Sequence, residues 1–257
     1  MATRGTFLLV LGLFGALLST TTGCTGSDRL EERPQESVAT PSPAVAQARE
    51  DLLQALRRTQ GTSHRYTVRG SLPEGQSVQA SGAFDPKGRL FEAKIKTSGG
   101  KDPSDTHRIV VDKHSYLRME SFSFWVHLDL ARVPEDSLVY FDMSDPTGLV
   151  KFTSVIGSVR QTGPNAYAGR FNPDSGFDPF VPVGAPSVAS FGITVADFTA
   201  TTDSKGWVTS ITVELEPLEG PKISMTTTLS DHGTKLSIKA PPKAQVREAD
   251  DSYYKKK

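Results

Sequence analysis

Apolar side chains recur at every second position in one short run after another, and this limits the chain more than any other feature. Tyr66, Val68, Gly70 and Leu72 alternate with Arg65, Thr67, Arg69 and Ser71. Val78, Ala80, Gly82 and Phe84 follow, then an Asp85–Gly88 turn, and then Phe91, Ala93 and Ile95 set against Glu92, Lys94 and Lys96. Successive side chains of a strand point to opposite faces, so this pattern specifies half-buried strands. Residues 109–111, 114–119 and 122–130 continue it past an Asp112-Lys113 turn. Tyr167, Gly169 and Phe171 resume it, followed by 193–202, 208–215, 223–229 and 235–240, with turns at Asp203–Gly206 and Asp231–Gly233. Short runs bounded by Gly, Pro, Asp or Ser predict antiparallel meanders. Gly70, Gly82 and Gly169 inside runs mark bends or close approaches. Pro241-Pro242 ends the pattern, because proline cannot donate to a ladder.

Two segments have a different period. Ser42-Pro43 suits a helix start. Val45, Ala48, Leu52, Ala55 and Leu56 then form an apolar stripe, and Gly61 is a stop, which predicts a helix over about 44–59. In Pro146–Val159, Leu149, Phe152, Val155, Ile156 and Val159 have helical spacing, although Gly148 and the β-branched residues oppose a helix. Residues 172–190 hold Pro173, Pro179, Pro182 and Pro186 among Phe177, Phe180 and Val181. Such a long apolar loop reads equally as a lip over a cavity or a flap over the core.

The N-terminus carries the clearest functional signal. Arg4 precedes a twelve-residue apolar run, Phe7–Leu18, then small and polar residues, then Cys24, the single cysteine of the chain. This is the layout of a secretory signal peptide. The run falls short of the roughly 20 residues a membrane-spanning helix needs. Thr21-Thr22-Gly23-Cys24 resembles the bacterial lipoprotein lipobox, with Thr21 where Leu, Val or Ile is usual. The resemblance implies that Cys24 receives diacylglycerol and becomes the new N-terminus. The alternative is an ordinary signal peptide cut nearby, and the alanine closest to the end of the run, Ala16, suits that route poorly. Residues 24–43 read as a flexible tether and 243–257 as a disordered polar tail. The domain is left to 44–242. Without the first 23 residues the chain has 28 basic and 29 acidic residues. That balance offers no electrostatic case for nucleic acid. A lone cysteine leaves no internal disulfide, so the fold rests on its core.

No phosphate loop, dinucleotide fingerprint, nucleophile elbow or zinc-protease motif occurs, and no catalytic residue, metal site or cofactor is assigned. Asp105, His107, Asp112 and His114 are the nearest approach to a metal set, at spacings that match no tight template, and read as outer-face polar residues. Asp174 and Asp178 lack the alternate-position pattern of a calcium loop. Trp125, Trp207 and the thirteen phenylalanines either pack the core or line a pocket.

Several stretches together resemble the actinobacterial LppX/LprG lipoproteins within the LolA-like lipid carriers. They are Thr62–Val68 (TSHRYTV), Gly82–Asp85, Tyr116–Arg118, Trp125 and Asp203–Ile211 (DSKGWVTSI), in a chain of helix, meander, middle helix and second meander behind a cysteine. The likeness spans about residues 44–242. It implies an α+β fold, a single curved antiparallel half-barrel with helices on its concave face around an apolar cavity for acyl chains. Period-two register makes Tyr66, Phe84, Phe91, Phe171 and Phe198 the inward candidates to line that cavity. The expected protein is a non-enzymatic lipoprotein on the extracytoplasmic face of the cell membrane. It would bind or ferry a lipid, a glycolipid or another hydrophobic ligand. The other reading is a sensor or assembly partner with a filled interior, contacting a membrane protein of unknown identity.

Overall fold

The computed structural model describes residues 42–100, 103–135, 137, 139–173, 183–184, 193, 195–217 and 220–255. The signal segment, Cys24, most of the tether and nearly all of the proline-rich loop therefore lie outside the described residues.

Helix α1 spans Pro43–Gln60, and its first N–H groups bond the Ser42 carbonyl while the Ser42 side chain makes no cap. Ala48, Leu52, Leu53, Ala55, Leu56 and Thr59 form its buried face. Val45, placed on the stripe by its spacing, is 39% exposed. Leu52 and Leu56 are fully buried, each contributing about 1.5–3 kcal/mol.

The strands run β1 His64–Ser71, β2 Ser77–Asp85, β3 Leu90–Ser98, β4 Ser104–Val111, β5 His114–Met119 and β6 Trp125–Asp129. After a short helix α2, Leu149–Ser154, come β7 Ile156–Gly163, β8 Ala166–Phe171, β9 Ala196–Thr202, β10 Val208–Leu215, β11 Ile223–Ser230 and β12 Val246–Glu248. The described strands form one open sheet in the order β12-β6-β5-β4-β3-β2-β1-β11-β10-β9-β8-β7. Each meander keeps chain order. They join where the first strand meets the last of the second meander, β1 against β11 with Tyr66 opposite Leu229. The result is a mostly β architecture, one large antiparallel sheet with few helices.

The middle helix is shorter than its spacing suggests. Val155 leaves the helical region, and Ile156 and Val159 belong to β7. β-branched residues beside Gly157 favour extension once a neighbouring strand, β8, offers a ladder. Asp145 starts α2 by accepting hydrogen bonds from the N–H groups of Val150 and Lys151. Burial pushes its carboxyl upward in pKa, against those bonds.

Turn chemistry follows the sequence closely. Asp85 Oδ1 accepts from the N–H groups of Lys87 and Gly88, and Asp203 Oδ1 accepts from Lys205 and Trp207. Three strand glycines are close approaches, and a Cβ on Gly70 would collide with Met225 and the Ser224 carbonyl. A Cβ on Gly82 would collide with the Tyr66 ring and the Glu92 carbonyl, and one on Gly169 with the Phe198 ring and the Ser158 carbonyl.

The C-terminal region departs from expectation twice. Residues 235–240 join no ladder. Instead Leu236 and Ile238 are buried with Ala83, Ile109 and Trp125 in a second cluster, on the face of the sheet opposite α1. The tail expected to be disordered carries β12, which pairs in parallel with β6. It also carries Tyr254, whose hydroxyl accepts from the Asp129 N–H while its ring lies under Arg132. Val246 packs against the second cluster, so two apolar anchors suffice where composition alone argued for disorder.

Candidate functional site

The helix-bearing face is where strand parity places Tyr66, Phe84, Phe91, Phe171 and Phe198, and all five are buried in the main core cluster. Four of them fall into two groups. Phe171 and Phe198 meet Phe152 of α2 edge-on, at centroid distances of 5.4 and 5.2 Å. Tyr66 and Phe91 stack at 6.4 Å, and Phe91 meets Phe141 at 4.9 Å. The fifth, Phe84, meets the His64 ring edge-on at 6.0 Å. Tyr66 donates to the Glu92 carbonyl at 3.4 Å, and burial followed by the Glu92 charge drives its phenol upward in pKa. These rings pack against protein.

Across that face, coverage is unequal. α1 packs on β7 and β10, and its Thr59 Oγ1 accepts from the Val208 N–H. Gln60 ties α1 to α2 through the Leu149 carbonyl and Thr153 Oγ1. Among the described residues no helix lies over β3–β6. Loop residues Leu130, Phe141 and Met143 pack there instead, and Ile95, Leu117, Met119 and Val126 remain half-buried.

Arg108 stands in the middle of this helix-free floor, and the sequence reading missed it. Ile109, Val110 and Val111 are apolar in succession, so strand parity was unreadable there. Both faces of β4 are covered at this point. Register places Arg108 between Ala93 on β3 and Leu117 on β5, on the side of Val110. Its Nη1 donates to the buried Ser115 Oγ at 3.4 Å, and its guanidinium lies 4.7 Å from the Phe141 ring centre. Burial pulls its pKa down to about 10, which leaves it charged at neutral pH.

The histidines occupy other places. His107 Nε2 lies 2.9 Å from Glu92 Oε1, on the opposite face and against Trp125. His114 Nδ1 lies 3.0 Å from His127 Nε2, and His127 Nδ1 lies 2.7 Å from Glu248 Oε2. Asp112 pairs with Arg89. The set Asp105, His107, Asp112 and His114 therefore does not converge. Among the described residues no group of three His, Cys, Asp or Glu stands ready for a metal. His64 and His232 lie 6.2 Å apart near Trp207, each with a buried Nε2 that lacks a hydrogen-bond partner among the described residues. A groove of about 750 Å³ runs along β7–β10, where Ser158, Arg160, Arg170, Asp197 and Glu214 stand beside the apolar Val45, Val159, Ala168 and Phe198.

One large open sheet with helices on part of one face defines a mostly β protein. No family model and no curated protein sequence matches the chain. Solved structures do. An uncharacterized conserved protein from Thermus thermophilus is similar at 11% identity, covering 78% of this chain and 98% of its own, with a TM-score of 0.42. A LolA superfamily protein from Nitrosomonas europaea is similar at 10% identity, covering 83% and 98%, with a TM-score of 0.25. A porin-like protein from Bacteroides uniformis is similar at 11% identity, covering 67% and 96%, with a TM-score of 0.23.

Proposed function

We propose that this chain is a lipoprotein, anchored through Cys24 to the extracytoplasmic face of the cell membrane, that binds or ferries a lipid or another hydrophobic molecule. In this reading the sheet is a half-barrel of the LppX/LprG kind, and its concave side is the helix-bearing face. The observation that carries the reading is the unequal coverage of that face. Apolar side chains of β3–β6 stay half-buried where no helix of the described residues lies. An acyl chain laid along them would gain about 25 cal/mol per Å² of apolar surface withdrawn from water.

Mass spectrometry of organic extracts from the purified protein tests this, together with titration by a fluorescent fatty acid. Copurified lipid and saturable probe binding are expected. Extracts free of lipid and a probe that never saturates overturn it. Fractionating cells that express wild type or Cys24→Ser tests the anchor. The variant is expected to leave the membrane fraction, and a wild type that takes no acyl label refutes lipidation.

A second reading, an assembly partner or sensor, draws on the packing of Phe152, Phe171 and Phe198 into one closed group. It predicts no extractable lipid and loss of a protein partner on mutation of an exposed face.

A further inference from the structure

Arg108 is a cation on an apolar floor. Its own row across the sheet runs Ala93, Arg108, Leu117, Val126. One adjacent row is Ile95, Thr106 and Met119, and the other is Phe91, Val110, Ser115 and Leu128. None of these is acidic. The carboxylates of the neighbouring strands, Glu92 and Asp105, have the opposite parity and face the other side, where Glu92 is engaged by His107. Among the described residues the polar contact of Arg108 is one long hydrogen bond to Ser115, and its other contact is the Phe141 ring. A guanidinium carries five N–H donors in a planar fork. Most of them have no acceptor among the described residues.

A half-buried charge without a counter-charge is costly, and a methionine would fill the same space without that cost. Arginine at this position makes sense when an anion arrives from outside. The fork accepts a carboxylate or a phosphate through two parallel bonds. The half-buried Ile95, Leu117, Met119 and Val126 beside it suit a hydrocarbon chain, not a polar solute.

We infer that Arg108 receives the anionic head, carboxylate or phosphate, of a single-chain amphiphile whose tail lies on the helix-free floor of β3–β6. This rests on the lipid-binding reading and gives the site its polarity: it selects acidic lipids over neutral ones of equal chain length.

The test compares palmitate, hexadecanol and inorganic phosphate as ligands of the full chain carrying Cys24→Ser. This parent is expected to bind palmitate about tenfold or more tightly than hexadecanol, the range of a charge-assisted hydrogen bond. Arg108→Met is expected to erase that preference, leave hexadecanol binding unchanged and melt no lower than its parent. Arg108→Lys keeps the charge without the fork and is expected to retain part of the preference. Equal affinity for palmitate and hexadecanol in the parent overturns the inference while lipid binding stands. So does a preference that survives Arg108→Met. So, too, does an Arg108→Met chain that melts lower and loses both ligands alike, since that is a structural role. Phosphate that binds as tightly as palmitate makes the site one for free anions and overturns the amphiphile. If neither palmitate nor hexadecanol binds saturably, the lipid-binding reading itself falls, and this inference with it.

Discussion

The two ends of the helix-bearing face solve the same burial problem in opposite ways. Over β7–β11, α1 and α2 lay Leu52, Leu56, Leu149 and Phe152 onto the sheet, and the aromatic residues beneath are closed off. Over β3–β6 a loop does the covering, with Phe141 and Met143 only partly buried, and a charged Arg108 is tolerated on the floor. A helix presents a wide stripe of side chains at regular spacing and can fill a sheet face. A loop must keep its own backbone polar groups satisfied and covers less apolar surface. The helical half is therefore the stable half, and the loop-covered half is where surface stays available.

That contrast can be broken most severely from the helix side. Leu52→Asp puts an unpaired carboxylate into a fully buried site and is expected to lose on the order of 3–5 kcal/mol or to unfold the protein. A chemical melt reads this directly, and an unchanged midpoint would place α1 outside the core. Truncating one ring in each half sharpens the comparison. Phe198→Ala is expected to cost about 3–5 kcal/mol, because its site under α2 cannot collapse. Phe141→Ala, half-buried under a loop, is expected to cost about 1 kcal/mol, the centre of the range for point changes. Equal losses in denaturant titrations would mean that the two halves are packed alike.

Gly169→Ala is expected to cost about 1–3 kcal/mol, as overpacking against the Phe198 ring and the β7 backbone. Gly157→Ala, also on β7 but with room for a Cβ, is expected to change little, and thermal shift separates the two.

The smallest expected effect is a pH dependence. Burial, with a contribution from His232, lowers the pKa of His64 below its ordinary 6.5, and burial lowers that of His232. The unfolded chain then binds more protons than the folded one once pH falls below about 6.5. Stability from these groups is present above that pH, declines as pH falls through it, and levels off below the folded pKa values. His64→Phe is expected to flatten part of the decline in melting temperature that wild type shows between about pH 7 and pH 5. A parallel decline in both proteins would assign the effect elsewhere.

Much of the fold was legible. Alternation marked most strands, though not β7 or β12, and aspartates marked the hairpin turns at Asp85, Asp112 and Asp203. Gly82 and Gly169 announced close approaches. Several things were not legible. Trp125 reads as a core aromatic, yet it packs with Leu236 and Ile238 on the opposite face. The segment that buries it, residues 235–240, alternates like a strand but joins no ladder, so its period pointed to the wrong element. Arg108 was hidden because Ile109, Val110 and Val111 are apolar on both faces. The five aromatic candidates were placed on the right face by parity, but parity carries no information on whether a helix or empty space lies above them.

The sequence by itself determined the local elements: α1 from its stripe and Pro43, the strands from their two-residue period, and the turns from side chains that bond their own backbone. These depend on contacts between residues a few positions apart, and short spacings express them. Tertiary structure alone decided the pairing of β1 with β11, the return of the C-terminal segment across the far face to dock β12 beside β6, and the partition of one sheet face into a packed half and a half-covered one. Those outcomes depend on which distant surfaces are left to cover each other after the strands form. They follow from the total area to be buried, which no local pattern encodes.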